Sequence, residues 1–333
     1  MSRSMLRWGV LSTANIGRWA VNPAIQASVN GTLVAVGSRD ADRARDFAEA
    51  HSIPRHHGSY EALLDDPDVD ALYIPLPNSM HREWTIRAAR AGKHVLCEKP
   101  LAMDASECLE MQAAAEEHGV VLMEAYMYRF HPRTEEVVAQ LRGGAVGEIR
   151  AVRSAFTFKL SRPDNIRLDP DLGGGSLMDV GCYCVNASRT LLGSEPYAVQ
   201  ANARWTARGV DDELTGVLHF PDDVRAHFDC SLTMERCEFY EVAGTDGVLR
   251  VESSFLPGTD STTIETQRGR EGVAHQTVEG ADEYLRMVEH FAEAVLSGSP
   301  VRYPATEAAA NMRVIEALYR SARSDGVRVI VPS

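Results

Sequence analysis

The feature that most constrains this chain is a change of periodicity near residue 130. Before it, short β-type runs alternate with helical patterns, which is how a parallel sheet with crossover helices reads. Leu6–Leu11, Leu33–Ser38, Ala71–Ile74, His94–Cys97 and Val120–Glu124 read as strands. Ile16–Ala27, Asp42–Ala50, Tyr60–Leu64, His81–Ala91 and Ala105–Glu117 read as helices, with Gly92 and Gly119 as stops. After Phe130 the pattern turns to period two. Glu148–Phe158, Tyr197–Trp205, Glu213–Phe220, Arg225–Thr233, Glu238–Ala243, Val248–Val251 and Thr262–Gln267 are strand candidates, with turns at Asp222-Asp223 and Asp246-Gly247. One helix, Ser176–Leu192, interrupts them and Gly193 ends it. Helices near Glu283–Leu296 and Ala305–Ser321 precede a last strand, Arg328–Val331. The prediction is an α/β chain. A Rossmann-type doubly wound parallel sheet spans residues 1–128, and an α+β domain with a large open, mainly antiparallel sheet spans 129–333.

Composition removes several alternatives. The 333 residues carry 34 basic and 47 acidic side chains, a formal charge of −13. Nucleic-acid binding needs clustered Lys and Arg against phosphate, so it is disfavoured. No apolar run reaches the length of a membrane span. Arg3 followed by apolar residues imitates a signal peptide, but Arg7 breaks the run and no cleavage pattern follows. Six cysteines are too few for a disulfide scaffold. Cys182 and Cys184 lack a second pair to complete a zinc set, so they are expected as packed thiols and no metal is expected. His56-His57 imitates a metal pair, yet adjacent side chains rarely face one ion, and a surface loop is expected. The chain reads as cytoplasmic.

The first strand ends in Gly9-Val-Leu-Ser12-Thr13-Ala14-Asn15-Ile16-Gly17. A dinucleotide fingerprint wants G-x-G-x-x-G here. Ser12 and Ala14 take the first two glycine positions and Gly17 the third. All are small, so backbone can approach a pyrophosphate at the helix N-terminus. Gly37-Ser38-Arg39-Asp40 ends the second strand. The acid that usually holds the ribose 2′-hydroxyl of NAD is replaced by Ser38 and Arg39. Arg39 can pair with a 2′-phosphate and stack on adenine, with Arg43 one turn further on. NADP is therefore expected over NAD. Asp40 reads as the N-cap of the next helix.

Two further segments carry chemistry. Glu98-Lys99-Pro100 lies at the C-terminal end of a parallel strand, where open α/β sheets place ligands. Gly173-Gly174-Gly175-Ser176-Leu-Met-Asp179-Val-Gly-Cys-Tyr183 joins a glycine loop, free to approach a ligand, to a helix start. Asp179 and Tyr183, at i and i+4, are expected on one helix face. Leu177, Val180, Cys184, Ala187 and Leu191 form the opposite apolar stripe, so the pair is expected to point away from the packing face. Arg162, Asn165 and Arg167, on the loop before the glycines, are substrate-contact candidates. Tyr126, Tyr128 and Phe130 read as core or cleft wall, and His131-Pro132 as a domain junction.

Together these pieces resemble the glucose–fructose oxidoreductase / inositol dehydrogenase (Gfo/Idh/MocA) family. The resemblance is carried by the Gly9–Gly17 turn, Tyr73-Ile74-Pro75-Leu76-Pro77-Asn78 with His81, Glu98-Lys99-Pro100, and Gly173–Tyr183. It implies a nicotinamide cofactor whose site includes Pro75, Leu76, Asn78, His81, Glu98 and Lys99. It also implies Lys99 as the catalytic lysine, a cis-capable Lys99-Pro100 bond and a homo-oligomer built through the C-terminal sheet. Many inositol dehydrogenases carry His where this chain has Tyr183. Tyrosine there, with the opening Arg7-Trp-Gly-Val-Leu-Ser-Thr-Ala, is similar to the branch of dimeric dihydrodiol dehydrogenases, NADP-dependent D-xylose dehydrogenases and ketosugar reductases. The implied reaction moves hydride between nicotinamide and a sugar-like hydroxyl or carbonyl carbon. Proton transfer at the substrate oxygen falls to Tyr183, with Lys99 favouring its phenolate, or to Lys99 itself. Asp179 would orient a substrate hydroxyl. A ketosugar reductase acting on a nucleotide-linked or modified sugar, a non-catalytic dinucleotide sensor, and a net non-redox bond cleavage with internally recycled cofactor are the alternatives.

Overall fold

The computed structural model describes residues 5–162 and 164–332, so Arg3 lies outside the described residues. The chain separates into two compact units. The first holds the described residues up to Met127 together with Asp282–Ala309, and the second holds Tyr128–Ala281 with the described residues from Ala310 onward. Asp282–Ala309 thus groups with the first unit, although the sequence reading assigns it to the second domain.

The first unit is a six-stranded parallel sheet in the order β3-β2-β1-β4-β5-β6. Its strands are β1 (Leu6–Leu11), β2 (Gly31–Gly37), β3 (Arg55–His57), β4 (Ala71–Ile74), β5 (His94–Glu98) and β6 (Leu122–Ala125). Every residue of β4 and β6 is buried, as expected for parallel strands covered on both faces. The crossover helices are α1 (Asn22–Ala27), α2 (Ala41–Ala50), α3 (Tyr60–Leu64), α4 (His81–Arg90) and α5 (Ala105–Glu117). Asp40, Ser59 and Asp104 cap α2, α3 and α5 by accepting a backbone N–H three residues on. His56-His57 is not a loop. It pairs with Val36-Gly37 as the sheet's edge strand, and the His57 ring lies 2.9 Å from Asp66.

The second unit is a nine-stranded sheet in the order β14-β13-β12-β11-β7-β10-β9-β8-β15. It begins with a helix the sequence reading missed, α6 (Pro132–Arg142), which His131 caps through the Arg133 N–H. β7 (Ile149–Thr157) runs near the middle. After α7 (Cys182–Leu192) come β8 (Ala198–Trp205), β9 (Asp211–His219), β10 (Arg225–Ser231), β11 (Cys237–Gly244), β12 (Gly247–Glu252), β13 (Thr262–Arg268) and the exposed β14 (Ala274–Val278). α8 (Glu283–Ser297), α9 (Ala305–Ala322) and β15 (Val329–Ile330) close the chain. All pairs are antiparallel except β7 with β10, so the sheet is open and mainly antiparallel as expected.

Two expected helices start differently. Ile16–Ala27 opens with a π-helical turn, Gly17–Val21, ahead of α1. Ser176–Leu192 opens with another, Leu177–Gly181, ahead of α7. Single π-turns inside helices are often found at functional sites. Among the described residues no helix is long and apolar enough to cross a membrane.

Candidate active site

In the first unit the candidate residues gather at the C-terminal ends of β1, β2, β4 and β5. Ser12 follows β1 with φ 144°, on the side of the map that favours glycine. Its hydroxyl donates to the Pro75 carbonyl at 3.4 Å, and its oxygen accepts the Ala14 N–H at 3.1 Å. The side chain that replaces a fingerprint glycine thereby ties the turn to the loop after β4. Thr13, Ala14 and Ile16 are partly exposed and Asn15 is exposed.

At the end of β2, Ser38 is buried and its Oγ accepts the Asp40 N–H at 3.3 Å. Asp40 spends a carboxylate oxygen on the Arg43 N–H at 2.9 Å, as an N-cap. Arg39 and Arg43 are exposed, and among the described residues neither forms an ion pair. Tyr60 lies beside them. Burial raises its pKa, and the neighbouring Arg39 and Arg43 pull it back.

His81 departs from its expected place. It is 0% exposed, enclosed by protein, with Nδ1 3.0 Å from the Pro100 carbonyl and Nε2 2.8 Å from the Leu76 carbonyl. It therefore clamps the Pro75–Asn78 loop to the Lys99-Pro100 segment, whose peptide is cis. Burial pushes its pKa down and the surrounding carbonyls pull it up, the net shift being downward. Glu98 accepts the Tyr73 hydroxyl at 2.6 Å and the Lys99 N–H at 3.2 Å. Burial first, and then Glu98, drive the Tyr73 pKa well up, so its hydroxyl stays a donor. Lys99 itself is partly exposed at the strand end. Glu124, 3% exposed, accepts the Leu101 N–H at 2.8 Å and steadies the same segment. Sequence reasoning missed it, although a lone acid within the apolar Leu122–Ala125 run was a usable signal.

In the second unit Asp179 sits in the π-turn and Tyr183 in the first turn of α7. Arg167 Nε donates to Asp179 Oδ2 at 2.5 Å, and its guanidinium lies over the Phe158 ring at 5.8 Å. Asp179, more than the opposing burial, raises the Arg167 pKa. Asn165 accepts the Arg167 N–H at 3.0 Å, shaping the loop. Arg162 is exposed and pairs with Asp164 at 2.8 Å. Among the described residues, Arg167 is the loop candidate that pairs with Asp179.

The expected orientation of Tyr183 needs correction. Its residue is 5% exposed, and its ring packs against Tyr128, Phe156 and Phe255 at centroid distances of 5.9, 5.4 and 5.3 Å. Asp179 keeps partial exposure, whereas this aromatic wall encloses the Tyr183 ring. Tyr128, whose hydroxyl donates to Asn186 at 2.6 Å, is part of this wall. Cys182 and Cys184 are both buried, as expected of packed thiols.

The glycines before this helix also differ from expectation. A Cβ on Gly175 would lie 2.3 Å from Asp211 Oδ1 and 2.8 Å from the Tyr319 hydroxyl. A Cβ on Gly174 would lie 2.5 Å from the Arg167 carbonyl oxygen. At both positions protein groups occupy the place of a Cβ.

Comparison with known proteins agrees with this layout. Residues 6–126 match the model of an oxidoreductase family with an NAD-binding Rossmann fold, and residues 134–250 match the GFO/IDH/MocA C-terminal domain. The chain is 42% identical over 320 residues to a D-xylose 1-dehydrogenase (NADP(+)) of Haloferax volcanii, covering 96% of this chain and 98% of the other. Aldose-aldose oxidoreductase from Caulobacter crescentus, solved with glycerol, superposes with a TM-score of 0.90 at 31% identity, covering 98% and 99% of the two chains. A 3-ketoreductase from Actinomadura kijaniata, solved with NADP and TDP-benzene, gives 0.91 at 32% identity, covering 96% and 98%. That ketoreductase is also solved with one tyrosine changed to phenylalanine and with one lysine changed to alanine. The two changed positions stand as far apart in sequence as Lys99 and Tyr183.

Proposed function

We propose, for a chain that belongs to the GFO/IDH/MocA oxidoreductase family, an NADP-dependent dehydrogenase that oxidises an aldopyranose at C1. The observation that carries this reading is the near full-length match to an NADP-dependent D-xylose dehydrogenase. The residues present fit the cofactor. Two exposed guanidiniums without carboxylate partners, Arg39 and Arg43, suit a 2′-phosphate. The small Ser12–Ile16 turn suits a pyrophosphate at a helix start, and Pro75, Leu76 and Asn78 would hold the nicotinamide side. When bound, NADP supplies the hydride acceptor.

The remaining chemistry belongs to the chain. Asp179, held by Arg167, accepts a substrate hydroxyl and orients the sugar. Tyr183, or Lys99 itself, takes the proton from the reacting hydroxyl. The aromatic wall of Tyr128, Phe156 and Phe255 fixes the Tyr183 ring and excludes water from its body. A cytoplasmic homo-oligomer formed through the large sheet is part of this reading, and gel filtration checks the assembly.

The test is nicotinamide absorbance during incubation with NADP⁺ and a panel of aldoses that includes D-xylose. Steady NADP-selective turnover of one aldopyranose is the expected result. Lys99→Ala and Tyr183→Phe should each lower turnover by roughly 10²–10⁴-fold while NADPH still binds. Near-normal turnover in both would remove them from the mechanism. The close superposition on a 3-ketoreductase solved with NADP and TDP-benzene favours one second reading, reduction of a nucleotide-linked ketosugar. NADPH consumption with such a sugar, and none of NADP⁺ with aldoses, would select it.

A further inference from the structure

We propose that Asp211 is a positioning residue for the segment that carries Asp179 and Tyr183. This rests on the reading above that those two side chains meet the substrate. Asp211 opens β9 and is 1% exposed. Its Oδ2 accepts the Ser176 hydroxyl at 2.7 Å and the Leu177 N–H at 2.8 Å. Its Oδ1 accepts the Tyr319 hydroxyl, from α9, at 2.8 Å. One carboxylate therefore joins β9, α9 and the first residues of the π-turn.

The donor set suits a carboxylate. The Leu177 N–H can only donate, and the Ser176 and Tyr319 hydroxyls donate beside it, whereas an amide would turn its NH₂ group toward a hydroxyl that would then have to accept. Among the described residues Asp211 forms no ion pair with Lys, Arg or His. A buried carboxylate without a countercharge is expensive, and only a full set of donors makes it tolerable. Gly175 is dictated by the same group, since its missing Cβ leaves the space for Oδ1 and the Tyr319 hydroxyl.

The far end of the π-turn is fixed in the same way. A Cβ on Gly181 would lie 2.6 Å from Cys230 Sγ on β10, and Ser176 Oγ lies 3.6 Å from that sulfur. A π-turn is locally less favourable than an α-turn, so it needs an outside hold. Asp211 supplies that hold at its start. It is enclosed and touches the reaction only through Leu177–Tyr183.

The experiment compares wild type, Tyr319→Phe, Ser176→Ala and Asp211→Asn. Each is made in the wild-type and the Y183F backgrounds and assayed with NADP⁺ and D-xylose. Tyr319→Phe should lower kcat about tenfold, leave the KM for NADP⁺ unchanged, and add almost nothing in the Y183F background. Equal losses in both backgrounds, or kcat within about twofold of wild type, would overturn the proposal. Amide exchange gives the second readout. Leu177 through Tyr183 should exchange about tenfold faster in Ser176→Ala and Tyr319→Phe, whether or not Asp211→Asn folds. Where wild type oxidises no aldose, it is the functional reading that has failed. Unchanged exchange over Leu177–Tyr183 in these variants then overturns the anchor by itself.

Discussion

Two helices of this chain begin with a π-turn, Gly17–Val21 in the first unit and Leu177–Gly181 in the second. The turns that feed them are built in opposite ways. Before the first, a serine holds φ 144° and its hydroxyl makes two hydrogen bonds. Before the second, Gly175 holds φ 132° and the place of its Cβ is taken by Asp211 and Tyr319. One turn uses a side chain to offset strain of about 1–3 kcal/mol, and the other removes an atom to avoid a collision. The lesson is that small residues in a loop do not by themselves mark a ligand. At Ser12 they leave a partly exposed turn, and at Gly174 and Gly175 they make room for the protein's own groups.

The largest expected effect tests the second turn. Gly175→Ala places a methyl against a buried carboxylate in a backbone conformation that alanine resists. A loss of roughly 3 kcal/mol or more is expected by urea unfolding. A loss under about 1 kcal/mol would mean the loop moves freely, and the contrast between the turns would collapse. Arg39→Ala probes the ligand-facing side. NADPH affinity should fall about 10–100-fold, with NADH affinity unchanged, as fluorescence titration reads it. Equal losses for both would remove Arg39 from the 2′-phosphate.

Ser12 itself gives a smaller and more diagnostic effect. Ser12→Ala loses both hydrogen bonds and keeps the strain, so it should lose about 1–2 kcal/mol. Ser12→Gly loses the same bonds but relieves the backbone, and should lie near wild type in stability. Both should weaken NADPH binding by a similar few-fold, because the link to Pro75 is gone in each. Glycine as harmful as alanine to stability would show that the backbone at Ser12 is not strained.

What could be read from the sequence follows from how local its cause is. β4 and α5 are found with the bounds expected, because an unbroken apolar run and the Asp104 cap lie within the segments themselves. The Asp40 cap was equally local. β3 has three residues and β14 is almost wholly exposed, so neither offers a hydrophobic pattern. α6 is legible, with Pro132 at its start and Val137 and Leu141 on its buried face, but His131-Pro132 reads as a junction until His131 is recognised as its cap. The π-turn before α7 was not legible, since partners distant in sequence, Asp211 and Cys230, hold it. Tyr183's enclosure was not legible either, because it depends on Phe156 and Phe255, also distant in sequence. The enclosure of His81 is not legible in the sequence, because it depends on the Leu76 and Pro100 carbonyls.

The smallest effect sets one carboxylate of each unit side by side. Asp70 accepts Arg7 Nε at 2.9 Å, Arg7 NH2 at 2.6 Å and the Arg7 N–H at 3.0 Å, half exposed beside a guanidinium. Asp211 accepts three neutral donors in the core. Burial raises both pKa values, but the bonds from Arg7 reverse the shift at Asp70 and leave it lowered, whereas Asp211 stays raised. The signs of the pH dependence are therefore opposite. Asp70 contributes stability that is present above its unfolded pKa of about 3.9 and lost as pH falls through the lower folded value. The ionisation of Asp211 contributes the reverse, favouring the fold below the unfolded pKa and losing that as pH rises through the folded one. Asp70→Asn should be less stable than wild type at neutral pH, by a modest amount because the pair is solvent-screened. That gap should narrow as urea unfolding is repeated from about pH 7 down to about pH 3.5. A gap that stays constant with pH would show that Arg7 holds Asp70 by geometry alone, and that charge does not distinguish the two carboxylates.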